Sequence, residues 1–305
     1  MKQLKKITSV LLALLVITSS IIISTVAVNA KSFKTTVLKK NKTYSFNLDK
    51  KGKSEKIRFE QTVKTDENDF QDYHSSKLYI NGKKVFSASG LKDSDDVKII
   101  IADTNKTDKQ LEIFVLKGGM CPLKEGWSFI NHIYYYKYSK GKAKKVQDLY
   151  NLVKSKFSKF AYLHAPTNNF IKVDGKGNLT TKACVKLASY NKNNGLDFIH
   201  FNNLVKLVKG KFVNTKAKSY KALDEKIGSE IYWRVSNGKN KVYNNPDTKK
   251  VAYTLKNNSK FNILSLFRKS KNKVFLQIKN KNGKKGYINP KTFKATQTGT
   301  HHVGG

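Results

Sequence analysis

Arginine is nearly absent from this 305-residue chain: Arg58, Arg234 and Arg268 stand against 57 lysines, and the formal charge is +39. Lysine is a hydrated point charge, whereas readout of base edges and bidentate phosphate clamps favour the planar fork of arginine. That scarcity, with no nucleic-acid motif to offset it, excludes a specific nucleic-acid partner. Cysteine is scarcer still. Cys121 and Cys184 are the only two, and their spacing matches no metal or redox motif. Whether they form a disulfide stays open at this level. Acids fade along the chain: fourteen of the 21 lie at or before Glu125 and none follows Asp247.

Catalytic signatures are missing as well. The histidines are His74, His132, His164, His200, His301 and His302, and none stands in H-E-x-x-H. No G-x-S-x-G occurs. Cys184 and His200 offer the elements of a thiol–imidazole pair, but Ala183-Cys184-Val185 reads as an apolar patch around a structural cysteine. Paired carboxylates for glycoside hydrolysis have little raw material after Glu125. The expectation is a protein without a catalytic constellation.

What is present starts with a targeting segment. Lys2, Lys5 and Lys6 precede an apolar run from Ile7 to about Ala27, and Val28-Asn29-Ala30 ends in a small residue suited to cleavage. Left uncleaved, the run is long enough to span a bilayer. The expectation is a signal peptide over residues 1–30 and a secreted or cell-surface chain from about Lys31, without an integral anchor. Its charge excess implies an anionic surrounding or partner, although lysine with abundant Asn and Ile also fits AT-rich coding.

The remaining chain reads as all-β. Runs of β-branched and aromatic residues alternate with Gly-based turns at Asn81-Gly82, Gly141, Asp174-Gly175, Gly210 and Asn282-Gly283. Only VQDLYNLVKSKF and the short ALDEKIG near Leu223 suggest helix. Two stretches repeat. Asn47-x-Asp49 with Glu55 and Ile57 opens one, and Asp103-x-Asn105 with Glu112 and Ile113 opens another, 56 residues apart from Asp49 to Asn105. That period suits one four-stranded sheet.

Both loops have the oxygen spacing that calcium sites use. In FNLDKKGKSEKIRF, Asn47, Asp49 and Glu55 hold ligand positions and Gly52 the tight turn, but Lys51 stands where a carboxylate belongs. Its ammonium repels a dication and can pair with Asp49 or Glu55. No metal is expected there. The second loop keeps Asp103, Asn105, Asp108 and Glu112, a candidate for weak calcium binding.

These loops resemble the FG-GAP and VCBS repeats of integrin-type β-propellers, in the degenerate form found in secreted proteins of low-GC Gram-positive bacteria. The resemblance covers about residues 32–221 and implies a small propeller-like repeat domain of about four sheets, spanning 31–225. A scaffold or binding surface would follow from it. The segment from Val242-Tyr243 through Asn245-Pro246, VAYTL, FNILSLF and VFLQI to Gly286-Tyr287-Ile288 resembles the bacterial Src-homology-three-type domain of cell-wall proteins. It implies a small β-barrel over 226–295, with a flexible tail at 296–305. Asn258 replaces that family's turn Gly, and Tyr287 its Trp. The resemblance implies binding of a peptidoglycan peptide through aromatic residues, for which Tyr243, Tyr287 and Trp233 are the candidates. Tyr253 and Phe267 suit the core better. Lys284 and Lys285 belong to a lysine coat suited to a teichoic-acid-like anionic polymer. The runner-up is a wall hydrolase or peptidase that uses the barrel for targeting.

Overall fold

The computed structural model describes residues 35–66, 71–92, 95–120, 127–157, 161–166, 171–186, 198–223, 226–227, 230–231, 233–247, 250–270, 273–290, 292–293 and 295–298. The expected signal peptide, Cys121, His301 and His302 lie outside them. No described helix is long and apolar enough to cross a membrane.

The fold is all-β, built from antiparallel strands. After β1 (Thr35–Val37), a unit of four strands runs through β2 (Lys42–Phe46), β3 (Glu55–Asp66), β4 (Gln71–Ile80) and β5 (Lys83–Lys92) as a separate meander. The next unit repeats it with β6 (Asp95–Ala102), β7 (Glu112–Met120), β8 (Trp127–Ser139) and β9 (Lys142–Asp148). Helix α1 (Tyr150–Phe157) and β10 (Ala161–Pro166) lead into a third unit of β11 (Ile171–Val173), β12 (Asn178–Lys186), β13 (Phe198–Val208) and β14 (Lys211–Asn214). Each unit has a loop after its first strand and a tight hairpin before its last. The hairpins turn at Asn81-Gly82, Lys140-Gly141 and Lys209-Gly210, with φ of 49° and 76°, 51° and 72°, and 48° and 77°. Two successive positive φ values match the right-handed strand twist, which is why Asn-Gly is such a strong hairpin signal.

The repeats do not stay separate blades. At 13 residues, β8 is long enough to pair with β9 through Tyr134–Ser139 and with β10 through Trp127–Ile130. It therefore joins the second and third units into one ten-stranded sheet that also takes up β1. A propeller needs each blade to end at its own edge, and β8 removes that edge.

The C-terminal part follows with β15 (Ser219–Lys221), the short pair β16 (Lys226–Ile227) and β17 (Glu230–Ile231), and β18 (Trp233–Ser236). Then come β19 (Asn240–Tyr243), β20 (Val251–Leu255), β21 (Lys260–Ser270), β22 (Lys273–Asn280), β23 (Lys285–Ile288) and β24 (Ala295–Thr298). Instead of the expected closed barrel, they form an open eight-stranded sheet in the order β20-β19-β23-β22-β21-β18-β24, with β15 also on β21. β20 and β24 stand at the two ends of that order. Of the two helical expectations, α1 falls within VQDLYNLVKSKF. In ALDEKIG, Ala222 makes a β-bridge to Phe201 and Lys226–Ile227 are strand, while 224–225 lie outside the described residues.

Burial explains the sequence runs. Along β6, Val97, Ile99 and Ile101 enter a core shared with the first sheet, while Ile100 and Ala102 enter a second core. Strand side chains alternate faces, so a strand covered on both sides must be apolar throughout. The second core runs from Ile100 to Ala295 and includes Phe201, Tyr220, Phe261 and Leu276. Burying each large side chain there contributes about 1.5–3 kcal/mol.

Candidate functional site

The two calcium-like loops lie against each other. Leu111 N donates to Leu48 O at 2.8 Å, and Lys50 reaches from the first loop to the second. Its Nζ stands 3.0 Å from Asp103 Oδ2 and 3.1 Å from the Asp108 carbonyl. The ammonium that occupies a cation position is thus that of Lys50 in the neighbouring loop. Lys51, expected in that role, is exposed, and it is its backbone N–H that bonds to Asn47 Oδ1 and Asp49 Oδ1.

Several other loop acceptors also have partners, while Asp103 Oδ1 and Glu112 Oε1 are buried without one. Asn105 Oδ1 accepts from the Thr107 hydroxyl at 2.9 Å, and Asp108 Oδ1 accepts from Gln110 N at 3.1 Å. Glu55 and Glu112 are equivalent, each opening the second strand of its unit. Glu55 Oε2 accepts from Leu48 N at 2.8 Å, and Glu112 Oε2 from Thr104 N at 2.9 Å. Both glutamates are buried, and they fasten the loop backbone from inside. Burial pushes the Glu112 carboxyl up to about 7. The hydroxyl and N–H of Thr104 pull the other way, and Asp108 and Asp103 add to the rise. In the third unit a different clamp serves the same place: Asp174 Oδ1 accepts from Lys176 N and Asn178 N. Gly177 N donates to Thr104 O at 2.7 Å and extends the stack. Among the described residues no three His, Cys, Asp or Glu side chains gather as a metal cluster.

Cys184 and His200 stand directly opposite each other on β12 and β13. Cys184 has no exposed surface and lies in the sheet interior. A thiolate nucleophile has to meet substrate, and this one is walled off. A second pairing was not apparent in the sequence: His132 Nδ1 lies 2.6 Å from Asp148 Oδ2. Asp148 Oδ1 accepts from Ile133 N and Tyr150 N, so the carboxylate ties β8 and β9 to the first turn of α1. The His132 ring stacks on Tyr134 at 5.0 Å. The only sequence signal was an acid placed just before a helical run, as capping residues are.

The C-terminal sheet holds the expected aromatic candidates. Tyr243 and Tyr287 are direct partners across β19 and β23, and both are half-buried. The Tyr287 hydroxyl accepts from Gln277 Nε2 at 3.2 Å, and its ring meets Phe267 edge-on at 6.1 Å. Phe267 therefore joins the Tyr287 face. Tyr253 packs partly against the core, donates to the Lys284 carbonyl at 3.1 Å, and has its hydroxyl pushed up to about 12 by burial. Gly286 makes this packing possible. A methyl there would sit 2.5 Å from Val242 Cγ1 and 2.9 Å from the Tyr243 carbonyl. Lys284 and Lys285 are exposed. Trp233 starts β18 opposite Thr298, and its side chain lies outside the described set.

At one end of the same sheet, the β20–β21 and β22–β23 turns enclose a groove of about 650 Å³. Lys256, Lys260 and Lys281 line it, with Asn258, Ser259 and Asn282 between them. Its near wall is fastened: Asn258 N donates to Ser236 O, Ser236 N to Ser259 O, and Gly238 N to Asn257 Oδ1. The one acid late in the chain, Asp247, is paired with Lys269. Among the described residues, no ion pair compensates the groove lysines. Comparison with family models, with curated proteins and with solved structures finds no match to this chain. The candidate surface stands on its own geometry.

Proposed function

We propose that this is an exported, non-catalytic binding protein of the cell surface. Its C-terminal sheet holds it to the cell wall or to an anionic envelope polymer. The repeat units, with their stacked loops, form a scaffold that presents the remaining surface for recognition. The observation that carries this reading is the pair of exposed lysines, Lys284 and Lys285, next in sequence to the half-buried Tyr287 and its partner Tyr243, on a sheet whose chain has no acid after Asp247. Half-buried tyrosines offer flat apolar area with a polar edge, the chemistry that docks a wall peptide. Lysines in a field without acids attract polyanions through charge alone, and such attraction weakens as salt screens it. Burial of Cys184 speaks for binding over hydrolysis.

The test is a pull-down of the mature chain on purified cell walls, intact or stripped of teichoic acid, at low and high salt. Retention on intact walls that falls with salt is expected. Absence of binding to both wall preparations at low salt would overturn the proposal, and lysis in a zymogram would favour the hydrolase.

A further inference from the structure

We infer that the groove between the β20–β21 and β22–β23 turns is a seat for a phosphodiester-linked polyol chain, a site separate from the Tyr243–Tyr287 face. This rests on the wall-binding reading and assigns its polymer contact to particular residues. Three exposed lysines line the groove, Lys256, Lys260 and Lys281. None of them is in an ion pair among the described residues. Between them, Asn258 and Asn282 each offer a donor and an acceptor, and Ser259 adds a hydroxyl. Point charges alternating with neutral amides match a chain in which phosphates alternate with hydroxyl-bearing carbons.

The lining also says what does not fit. It has no aromatic side chain and no arginine, so it gives nucleobases nothing to stack on. It also lacks the planar fork that clamps a single phosphate from two sides. Its backbone is held before any ligand arrives. Asn258 keeps a φ of 61° at the tip of the β20–β21 turn, and the bonds from Ser236 and Gly238 secure that turn. Asn280 Oδ1 accepts from Lys284 N at 2.9 Å on the facing turn. A fixed groove spares the ligand the cost of ordering loops on binding.

The experiment measures binding of the full mature chain to soluble, lipid-free poly(glycerol phosphate), with single-stranded DNA of equal charge as competitor. The variant Lys256→Gln/Lys260→Gln/Lys281→Gln is compared with Lys42→Gln/Lys56→Gln/Lys83→Gln, an equal charge loss on exposed positions of the first sheet. With each surface lysine worth about fivefold in affinity for an anionic surface, the groove variant should lose about a hundredfold and the control less than threefold. Lys281→Glu, a single change at an exposed turn, should lose at least tenfold and serves where the triple variant misfolds. Equal losses in both triple variants would overturn the groove and leave wall binding standing. So would binding of the wild type to walls but not to the polymer, or displacement by DNA as effective as by the polymer itself. A wild-type chain that binds neither walls nor polymer would bring down the wall-binding reading, and the groove with it.

Discussion

Glu112 and Lys156 are buried ionisable groups with opposite pH signatures. The Glu112 carboxyl is held up to about 7, against an ordinary 4.5, chiefly by burial. The folded state therefore binds the proton more tightly than the unfolded chain does. The stabilisation it brings is complete below about 4.5 and is lost as pH rises through about 7. Urea midpoints should fall across that window in the wild type and stay flatter in Glu112→Gln, whose amide oxygen can still accept from Thr104. Glu112→Ala leaves that N–H without a partner and should cost about 1–3 kcal/mol. Lys156, on α1, has its Nζ buried over the Tyr220 ring at 4.9 Å with no hydrogen-bond partner. Burial first, then Arg268, lowers it from 10.5 to about 8. Here the unfolded chain binds more protons, so stability rises with pH between about 8 and 10.5. Lys156→Met should raise the melting temperature at pH 7, by about 1–3 kcal/mol in stability, and remove the alkaline gain. A lower melting temperature would show that the contact with Tyr220 outweighs desolvation.

At the scale of elements, two places are sensitive to single changes. Gly286 sits on β23 close against Val242 and Tyr243 of the paired strand β19, and its neighbours include a backbone carbonyl that cannot swing away. Gly286→Ala should therefore cost about 1–3 kcal/mol by overpacking and lower the urea midpoint. The family resemblance had pointed to Gly286-Tyr287-Ile288 as the closing signature of a barrel; the close approach explains the glycine in an open sheet as well. Asp148 fastens α1 through the Tyr150 N–H and holds His132 at the same time. Asp148→Ala should destabilise by about 0.5–2 kcal/mol, read by denaturant unfolding. In the sequence Asp148 was only one residue of the expected helical stretch VQDLYNLVKSKF, and nothing there pointed to its His132 partner, 16 residues earlier on β8. Pairing across a sheet depends on register, and β8–β9 carries a bulge between Tyr135 and Tyr136 that no local pattern announces.

For the molecule as a whole, one apolar core includes residues from Ile100 to Ala295. β15 lies on β21, and Arg268 Nη1 donates to the Lys156 carbonyl at 3.3 Å. The repeat units and the C-terminal sheet thus share packing, and residues 32–305 should unfold in one calorimetric transition with matching calorimetric and van't Hoff enthalpies. Two separated transitions would show that the shared core does not couple them. Alternation and turn chemistry were enough, from sequence, to specify an all-β chain, the positions of its hairpins and the repeat that begins at Asn47. These are local properties, set by side-chain period and by which residues tolerate positive φ. The likeness of the loops to calcium sites was local too, and it did not show which groups occupy the loop oxygens. Whether an oxygen is available to an ion depends on what else reaches it: Leu48 N and Thr104 N come from within their own loops, but Lys50 reaches Asp103 from a loop 53 residues away. Only the tertiary structure decided that β8 would join two units into one sheet, that the C-terminal strands would stay open, and that lysines from two turns would line one groove. Each of these depends on which strands become neighbours, and that is settled by packing between segments far apart in the chain.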